Sequence, residues 1–478
     1  MPWWLIVLLV LTALIAVICI RTARFKPAPC RSVEPEPVGL DTERPVSSLS
    51  GMIRIKTVSY RDRSREDEAA FSDFMQLLRE LYPRLHEACP PEYPSDRSVI
   101  FRWRGRSDQR PLVLTAHYDV VPADESEWDV PPFSGLIRDG MIHGRGTLDT
   151  KGTLVSILEA AEALIAEGFV PANDIYLAFA GNEETAGQGA PANVAWLKAH
   201  GVRPFMVLDE GGAVVNGVFP GLKKPCAVVG TAEKGQMNVV FTAHAGGGHA
   251  SAPPRHTLVG RLSRAVCRVE GSPFRFRLTA PARQMFNTLA PHSTLLYRVL
   301  FANLWCFSPL LDLYCRLSAG ELNALTRTTV AFTQMTGGEA TNVLPGAASV
   351  GANVRIIPGE TQDTVLKRLR RIIRDRDIAL SVPFGFDPSG IAVSQGEAFD
   401  RLTGAINATW PDALVTPYLM LACADARHYS GICDATYRFS AMALSKEERQ
   451  MIHGKNERIP IDTLLTTVAF YHRLIRNS

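Results

Sequence analysis

The apolar positions of the chain divide it into one long N-terminal run and a body in which short apolar segments alternate with amphipathic ones. From Trp3 to Ile20 the sequence is apolar except for Thr12. At about 1.5 Å per helical residue, this run is long enough to cross most of the hydrocarbon core of a bilayer. The pattern predicts an N-terminal transmembrane helix, to which we assign residues 1–22.

A cleaved signal peptide is the alternative explanation of the run. No Lys or Arg precedes it, and residues 19–22 lack a small-x-small cleavage site. Both features favour a retained single-pass membrane anchor. The basic residues that follow, Arg21, Arg24 and Lys26, would hold the body in the cytoplasm, so the side of the membrane stays open.

Residues 23–45 carry prolines at positions 27, 29, 35, 37 and 45 in a polar setting. Proline-rich segments are stiff and extended. We therefore predict a linker that lifts the body off the membrane, with the folded part beginning near residue 46.

The segments that follow alternate between strand-like and helical patterns. Strands are predicted over Pro111 to His117, Asp174 to Gly181 and Phe205 to Asp209, and helices over Glu66 to Leu81 and Lys151 to Glu167. Such alternation is typical of an α/β domain with a mixed, largely parallel sheet. Polar residues crowd the carboxyl end of each strand, which is where open α/β sheets bind ligands.

Residues 233–390 show a different order of elements, βαββαβ, which is typical of a small α+β domain. The predicted strands are Met237 to Ala243, Thr328 to Thr333, Ala348 to Ile357 and Ile378 to Pro383, and the helices are Leu258 to Glu270 and Gln362 to Arg374. We predict that this domain is inserted into the first one. The first domain then consists of residues 46–232 and 391–478.

Within the insert, Val299 to Leu311 is densely apolar and is interrupted by Asn303 and Pro309. It is too short to span a membrane. A buried helix is the simplest interpretation. The alternative is an exposed apolar wall for an apolar substrate or a membrane contact, because exposed apolar patches are uncommon without a purpose.

Composition adds little to this picture. The chain has 51 basic and 48 acidic residues, a formal net charge of +3, which gives no electrostatic reason to expect nucleic acid binding. Its nine cysteines are scattered without a Cys-x-x-Cys pair or a small disulfide framework, and they do not settle the redox compartment.

Candidate chemistry begins in a glycine-rich turn, Gly144 to Gly152, which places Asp149 just ahead of a predicted helix. An Asp in such a turn is most often a helix cap. Earlier in the chain, His117 and Asp119 are two apart in an extended segment, so their side chains leave the same face. That pairing suits a metal-binding imidazole held by a carboxylate, although an ordinary His–Asp pair fits equally.

Further carboxylates follow the other strands. Glu183 and Glu184 are adjacent, so in extended backbone one can bind a cation while the other stays free, and a buried anionic pair needs a cation to offset it. Asp209 ends the next strand, and His453 lies in a late glycine turn. A solvated loop, a helix cap and a surface histidine are the simpler explanations. Taken together, the segments supply two histidines and three carboxylates, a set suited to paired zinc or similar divalent ions.

The order of these motifs carries a resemblance. The chain shows His-x-Asp-Val-Val-Pro, Gly-Arg-Gly-x-x-Asp-x-Lys-Gly, Glu-Glu, Asp-Glu-Gly-Gly, Gly-Gly-His-Ala-Ser-x-Pro-Pro and His-Gly-x-Asn-Glu in sequence. Over roughly residues 46–478 it resembles the co-catalytic zinc metallopeptidase and aminoacylase family. The segment from Asp425 to Tyr429 is similar to the branch of carboxypeptidase S and the N-fatty-acyl-amino-acid synthase/hydrolase.

The resemblance implies two Zn²⁺ ions and a role for each motif residue. His117 and Asp209 would bind one ion, Glu184 and His453 the other, and Asp149 would bridge them. Glu183 would be the general base and Asp119 would orient His117. A cis peptide is expected after the bridging residue, at Asp149–Thr150. Where many relatives have an Asp, this chain has Thr150, with little expected effect on metal binding.

The inserted domain resembles the lid of that family, and a homodimer formed through the lid is one expectation. His249 would stabilise the oxyanion, Arg355 would bind the substrate carboxylate, and Asn342 would also face the site. Arg427 is a second candidate for binding the carboxylate. The simpler explanation for each lid residue is a structural role in packing. The family resemblance favours an extracytoplasmic body, against the basic flank.

Three functions are compatible with these residues. The favoured one is a metal-dependent amidohydrolase or carboxypeptidase that cleaves, or reversibly forms, the amide bond of an N-acyl-amino acid or a small peptide. A membrane-tethered binding protein could keep the metal ligands but would not require Glu183 as a base. A di-metal phosphoesterase would need several cationic residues around the metals.

Overall fold

The structure, a computed structural model, describes residues 2–27, 38–217, 219, 221–318 and 320–478. The predicted linker prolines 29, 35 and 37 lie outside these ranges. The helices are α1 (Trp3–Arg24), α2 (Arg44–Arg54), α3 (Glu68–Leu81), α4 (Pro83–Ala88), α5 (Lys151–Ala166), α6 (Gly189–Ala199), α7 (Leu258–Glu270), α8 (Ala280–Leu289), α9 (Leu295–Ala302), α10 (Leu304–Ser318), α11 (Gly320–Thr326), α12 (Gln362–Ile373), α13 (Glu397–Thr409), α14 (Ala426–Tyr429), α15 (Lys446–Met451) and α16 (Ile461–Arg476).

Each predicted strand is present, with its ends within three residues of the predicted ones, and further strands lie between them. They are β1 (Pro91–Ser95), β2 (Ser98–Trp103), β3 (Leu112–His117), β4 (Ile137–Arg138), β5 (Met141–His143), β6 (Ile175–Ala180), β7 (Met206–Asp209), β8 (Val214–Val215), β9 (Cys226–Glu233), β10 (Gly235–His244), β11 (Gly248–His249), β12 (Thr329–Thr336), β13 (Val343–Leu344), β14 (Ala347–Ile356), β15 (Ala379–Phe386), β16 (Leu414–Met420), β17 (Thr436–Arg438), β18 (Ala443–Leu444) and β19 (Arg458–Pro460).

The large sheet has the order β1-β2-β6-β3-β7-β17-β9-β8-β18, with β16 on β9. Its centre is parallel, since β3 pairs with β6 and β7, and β7 pairs with β17, in the same direction. Antiparallel pairs at β2–β6 and β17–β9 make the whole sheet mixed. The predicted α/β class with a largely parallel centre is therefore confirmed. Helix α5 is buried nearly all round and packs between β3 and α16.

A second sheet has the order β12-β14-β10-β15 and is antiparallel throughout. Alternate residues of β10 are buried, because one face of this sheet packs on α7 and α12. The predicted βαββαβ order is present, with four helices, α8–α11, added between α7 and β12. These four helices contribute Met285, Phe286 and Leu311 to the core of the large sheet.

The apolar run Val299 to Leu311 is not the single buried helix that we favoured. It is divided between α9 and α10, and Trp305 and Leu310 are more than half exposed. Asn303 makes the division, because its side-chain amide donates to the Val299 carbonyl of α9 and to Thr22 of α1. The exposed-wall alternative describes the structure better.

Helix α1 is long and apolar enough to cross a membrane, with a mean hydropathy of 3.0 and no part of its apolar window buried. A signal sequence would meet the same criteria. Its C-terminal end is attached to the body, where the Arg21 guanidinium donates to the Ala302 carbonyl at 3.0 Å. Helix α1 thus lies beside α9.

Candidate metal centre

The candidate site lies at the carboxyl edge of the central parallel strands. His117 is the last residue of β3, and Glu183 and Glu184 begin a 3₁₀ turn just after β6. Glu210 follows the last residue of β7. Since these three strands are parallel neighbours, their carboxyl ends bring the side chains to one edge of the sheet.

Asp149 lies between two histidines. Its Oδ1 is 3.0 Å from His117 Nε2, and its Oδ2 is 3.0 Å from His453 Nε2. The peptide bond from Asp149 to Thr150 is cis, which confirms the expectation from the resemblance. Asp149 is not the cap of α5, because Thr150 holds the N-cap position without a side-chain bond. A carboxylate that offers one oxygen to each imidazole has the arrangement of a ligand bridging two ions.

Asp119 holds His117 and the Glu183 turn in place together. His117 Nδ1 lies 3.0 Å from the Asp119 carbonyl oxygen and 3.3 Å from Oδ1. The Asp119 carboxylate also accepts the backbone N–H groups of Glu183 and Glu184 and the hydroxyl of Ser59, at 3.1, 3.2 and 2.6 Å. Because Nδ1 faces Asp119, the other ring nitrogen, Nε2, is directed at Asp149. This is the orientation expected of a metal-binding histidine whose second nitrogen is held by a carboxylate.

The adjacent glutamates point to different partners. Glu184 Oε2 is 3.0 Å from His453 Nε2, whereas Glu183 Oε1 is 3.9 Å from the Arg427 guanidinium. Glu184 Oε1 is buried and has no hydrogen-bond partner among the described residues. A buried carboxylate oxygen without a partner is costly unless a cation binds it. The donor set and this orphaned oxygen fit a metal ion on the His453 side.

On the His117 side, the structure brings in Glu210 and not Asp209. Both Asp209 oxygens accept backbone N–H groups, from Glu210 at 2.9 Å and from Ala426 at 2.6 Å. Glu210 Oε1 is 3.4 Å from His117 Nε2, and His117, Glu183 and Glu210 form a group able to hold one ion. His117, Asp149 and Glu184 form the second such group.

The strand itself carried the signal for Glu210. Neighbouring residues of an extended strand point to opposite faces, so Asp209 and Glu210 cannot both face the site.

Glu457 ties the two halves of the site together. Its carboxylate accepts the backbone N–H groups of Gly146, Leu148 and Asp149 at 3.0, 2.8 and 3.3 Å, and it pairs with Arg145 at 2.7 Å. Glu457 is four residues beyond His453. The turn that carries Asp149 is therefore fixed to the loop that carries His453.

The site holds more buried negative charge than its own cations offset. Burial, with Asp425 nearby, raises the pKa of Glu183 well above its usual value. Burial and the Asp149 charge raise the pKa of Glu184 to about 7, and burial raises that of Asp425 to about 7. Hydrogen bonds with Asp149 and Glu184 raise the pKa of His453 to about 11. Divalent cations would relieve this repulsion.

The four remaining predicted residues are distributed over two places. Arg427 stacks over Phe386, and Arg355 lies 3.1 Å from the thiol of Cys423, in the loop before Arg427. His249 and Asn342 are exposed at the two-stranded sheet of β11 and β13, where their described contacts are with Ser251 and Ala250 rather than with the metal cluster. The structure brings the two arginines toward Glu183 and leaves His249 and Asn342 apart from it.

An apolar cavity of about 740 Å³ adjoins the cluster. At one end it is lined by Gly211 and Gly212, which directly follow Glu210. Its walls are the side chains of Phe286, Tyr297, Leu300, Phe301, Leu310, Leu311, Tyr314, Leu322 and Leu325 from α8–α11. A volume of this size is typical of a site for a small organic ligand.

A mixed α/β sheet with a histidine and carboxylate cluster at its carboxyl edge, plus an inserted α+β domain, defines a metallopeptidase architecture. The chain belongs to Peptidase family M20/M25/M40, whose sequence pattern matches residues 113–477. It is a metal-dependent hydrolase of amide bonds.

Its relatives and structural neighbours agree on this family. The chain is 36% identical to the N-fatty-acyl-amino acid synthase/hydrolase PM20D1 of Xenopus tropicalis, over 98% of this chain and 93% of that protein. It is 34% identical to the probable carboxypeptidase S-like 2 of Dictyostelium discoideum, over 90% and 84%. Its fold is similar to the M20 family metallo-carboxypeptidase Sso-CP2 from Sulfolobus solfataricus, with a TM-score of 0.68, 16% identity and coverage of 90% of this chain and 98% of that one.

Proposed function

We propose that this protein is a di-zinc hydrolase of N-acyl-amino acids, able in principle to run the reaction in either direction. The placement of Asp149 between His117 and His453 is the observation that carries the proposal. His117 and Glu210 would hold one ion, His453 and Glu184 would hold the other, and Asp149 would be a ligand of both. Glu210 replaces Asp209 in the ligand set that the sequence predicted.

The two ions, when bound, supply Lewis-acid activation of the scissile carbonyl and of a water molecule. Glu183 takes the proton of the attacking water and delivers it to the leaving nitrogen. Burial raises its pKa, which suits a group that must both accept and release a proton near neutrality. Asp119 fixes the direction of His117 and, through two backbone N–H groups, the turn that carries Glu183.

The free carboxylate of the amino acid is bound by Arg427, with Arg355 as a second cation. Arg427 is mostly buried; its Nη1 lies 3.9 Å from Glu183 and donates to the Ala424 carbonyl at 2.8 Å, and the other N–H groups of the guanidinium would bind the substrate carboxylate. Arg355 reaches the same loop through Cys423. Two arginines, Arg427 and Arg355, near the general base Glu183 would select substrates in which a carboxylate lies next to the scissile amide. The predicted contributions of His249 and Asn342 would require movement of the lid.

The apolar cavity receives the acyl group. It begins at Gly211, one residue after Glu210, so an acyl chain attached to a carbonyl at the metals is directed into it. Its walls are almost wholly aliphatic and aromatic, and each buried methylene of a ligand contributes about 0.8 kcal/mol. Curated relatives are named for N-fatty-acyl-amino acids, which are substrates of this shape. We therefore favour long-chain acyl-amino acids over small peptides, and α1 serves as the membrane anchor.

The test is hydrolysis by the purified full-length protein supplied with zinc. Long-chain acyl-amino acids and blocked dipeptides are compared for wild type and Glu183→Gln, with bound zinc measured for both. We expect Glu183→Gln to lower turnover by about 10² to 10⁴-fold while it keeps its zinc, since it loses only the proton carrier. Wild type that binds zinc but cleaves neither substrate class, or equal turnover by the variant, would refute the proposal.

A further inference from the structure

An apolar surface lies on α9 and α10, which we call the apolar face. Its members are large hydrophobic side chains between 52% and 79% exposed: Leu295, Leu296, Trp305, Leu310, Leu313, Tyr314 and Leu317. In the rest of the described body, residues 38–217, 219, 221–294 and 320–478, exposed residues of this kind are spread singly or in pairs. Seven such side chains on two consecutive helices form an exposed apolar patch, which is unfavourable in water.

The apolar face adjoins α1 directly. Arg298 of α9 donates to the Phe25 carbonyl, and the Asn303 amide bonds to Thr22 at 3.2 Å. These contacts fix the C-terminal end of α1 against α9. With α1 in a bilayer, this attachment would place the apolar face next to the bilayer surface. Trp305 and Tyr314 are side chains that prefer the membrane–water interface.

Residues of the apolar face also form the mouth of the apolar cavity. Leu296, Leu310 and Tyr314 are each more than half exposed, yet they line the same cavity as Gly211 beside the metal cluster. The cavity therefore runs from the apolar face to the chain segment that directly follows Glu210. Leu296, Leu310 and Tyr314 continue its apolar lining to the outside, and the ion pair of Glu321 and Arg449, 4.0 Å apart, is the charged part of the lining.

We propose that the apolar face rests on the lipid bilayer beside α1, and that the acyl chain of the substrate slides from the lipid layer directly into the cavity. This inference rests on the proposed function for the identity of the substrate. The occupant of the face is the bilayer, because the apolar surface is continuous with α1 on one side and with an acyl-sized cavity on the other. The amino-acid carboxylate stays at the water interface until the amide reaches the metals.

The first experiment measures docking without catalysis. Full-length wild type and Trp305→Phe are reconstituted in phosphatidylcholine vesicles with and without brominated acyl chains, and tryptophan quenching is compared. Since bromine quenches only indoles that lie within the lipid, we expect Trp305→Phe to remove a quenched component from the emission. Identical quenching of both proteins would show that the face is not in lipid and would overturn the proposal.

The second experiment measures the route of the substrate. Leu313 and Leu317 belong to the apolar face but do not line the cavity, so Leu313→Gln with Leu317→Gln removes lipid contact while helix propensity is kept. We expect hydrolysis of a long-chain acyl-amino acid embedded in vesicles to fall by about tenfold or more, since each leucine loses its lipid contact. Hydrolysis of a water-soluble acetyl-amino acid should stay within about twofold.

The matched control is Val170→Gln with Ile391→Gln, two residues that are each 48% exposed and lie outside the apolar face. It should leave both rates unchanged. An unchanged vesicle rate in the α10 variant would overturn the route. The proposal would also be overturned if the α10 variant changed from dimer to monomer and Trp305 showed no quenching by lipid, because the apolar face would then bind a second copy of the chain. If Trp305 is quenched but no amide is cleaved, docking stands and the proposed function fails.

Discussion

The candidate metal centre and the apolar cavity are linked by the chain segment from Glu210 to Gly211, but they are built in opposite ways. In the metal centre, directed hydrogen bonds position the side chains: Asp119 holds His117, and Glu457 holds the turn of Asp149. The cavity is walled by side chains such as Leu300 and Phe301, which set volume and not direction. Under the proposed function, directed bonds would determine which bond is cleaved, and shape would determine which acyl group is accepted.

This contrast predicts that mutations in the two regions have different effects on activity. Changes in the metal centre should reduce cleavage of all substrates alike, because they act on the reacting amide. Changes in the cavity should alter the preference among acyl chains and leave the chemistry of short ones intact. A metal-centre variant that changes only chain preference, or a cavity variant that loses zinc, would break the comparison.

The largest effect is expected from Asp149→Ala. It removes the one carboxylate that faces both imidazoles, so both ions should be lost and turnover should fall for every acyl length. His453→Ala should mainly weaken the ion that it shares with Glu184, so about one zinc per chain should remain. Zinc per chain, measured by atomic absorption after dialysis, checks both. Equal loss in the two variants would contradict the bridging role of Asp149.

A comparison of Glu210→Ala with Asp209→Asn follows in size. Glu210 faces His117, so its loss should weaken zinc binding and lower turnover strongly. Asp209 accepts two backbone N–H groups, so Asp209→Asn should mainly reduce stability, by about 1–3 kcal/mol for the disturbed buried hydrogen bonds. Zinc titration and urea unfolding of the zinc-loaded proteins separate the two effects. Zinc loss in Asp209→Asn with normal binding in Glu210→Ala would restore Asp209 as the ligand.

The sequence predicted the metal centre better than the cavity for a physical reason. Candidate ligands such as His117 and Glu184 lie at strand ends, and a parallel sheet brings strand ends together whatever the remainder of the chain does. Glu210 was not among the predicted ligands, although the alternation of side chains along a strand separates it from Asp209. Glu457 was present in a recognised motif, but its bonds to the distant Asp149 turn depend on tertiary packing.

The cavity could not be predicted in the same way. Apolar periodicity shows that α8–α11 bury a face, but it does not show which face or against which sheet. The division at Asn303 and the packing of α1 on α9 arise from contacts between segments almost three hundred residues apart in sequence. The sequence shows that Val299 to Leu311 is apolar. The tertiary fold is needed to show that side chains of this run and Gly211 line the same cavity.

The smallest of the expected effects is also the most selective. Leu300 is half-buried and lines the cavity, so Leu300→Trp should shorten the space available to an acyl chain. Each methylene that no longer fits forfeits about 0.8 kcal/mol, or roughly a fourfold loss in kcat/KM. We therefore expect a loss of about tenfold or more for the longest chains and little change for acetyl substrates, measured across a series of acyl lengths.

Leu366→Trp, at a half-buried position in the core of the second sheet, is the control for general overpacking. If both tryptophan variants lower all substrates equally, the cavity does not select the acyl group, because the loss then reflects stability. A shift of the optimum toward shorter chains in Leu300→Trp alone, with zinc content unchanged, would show that shape and chemistry are set by separate parts of one site.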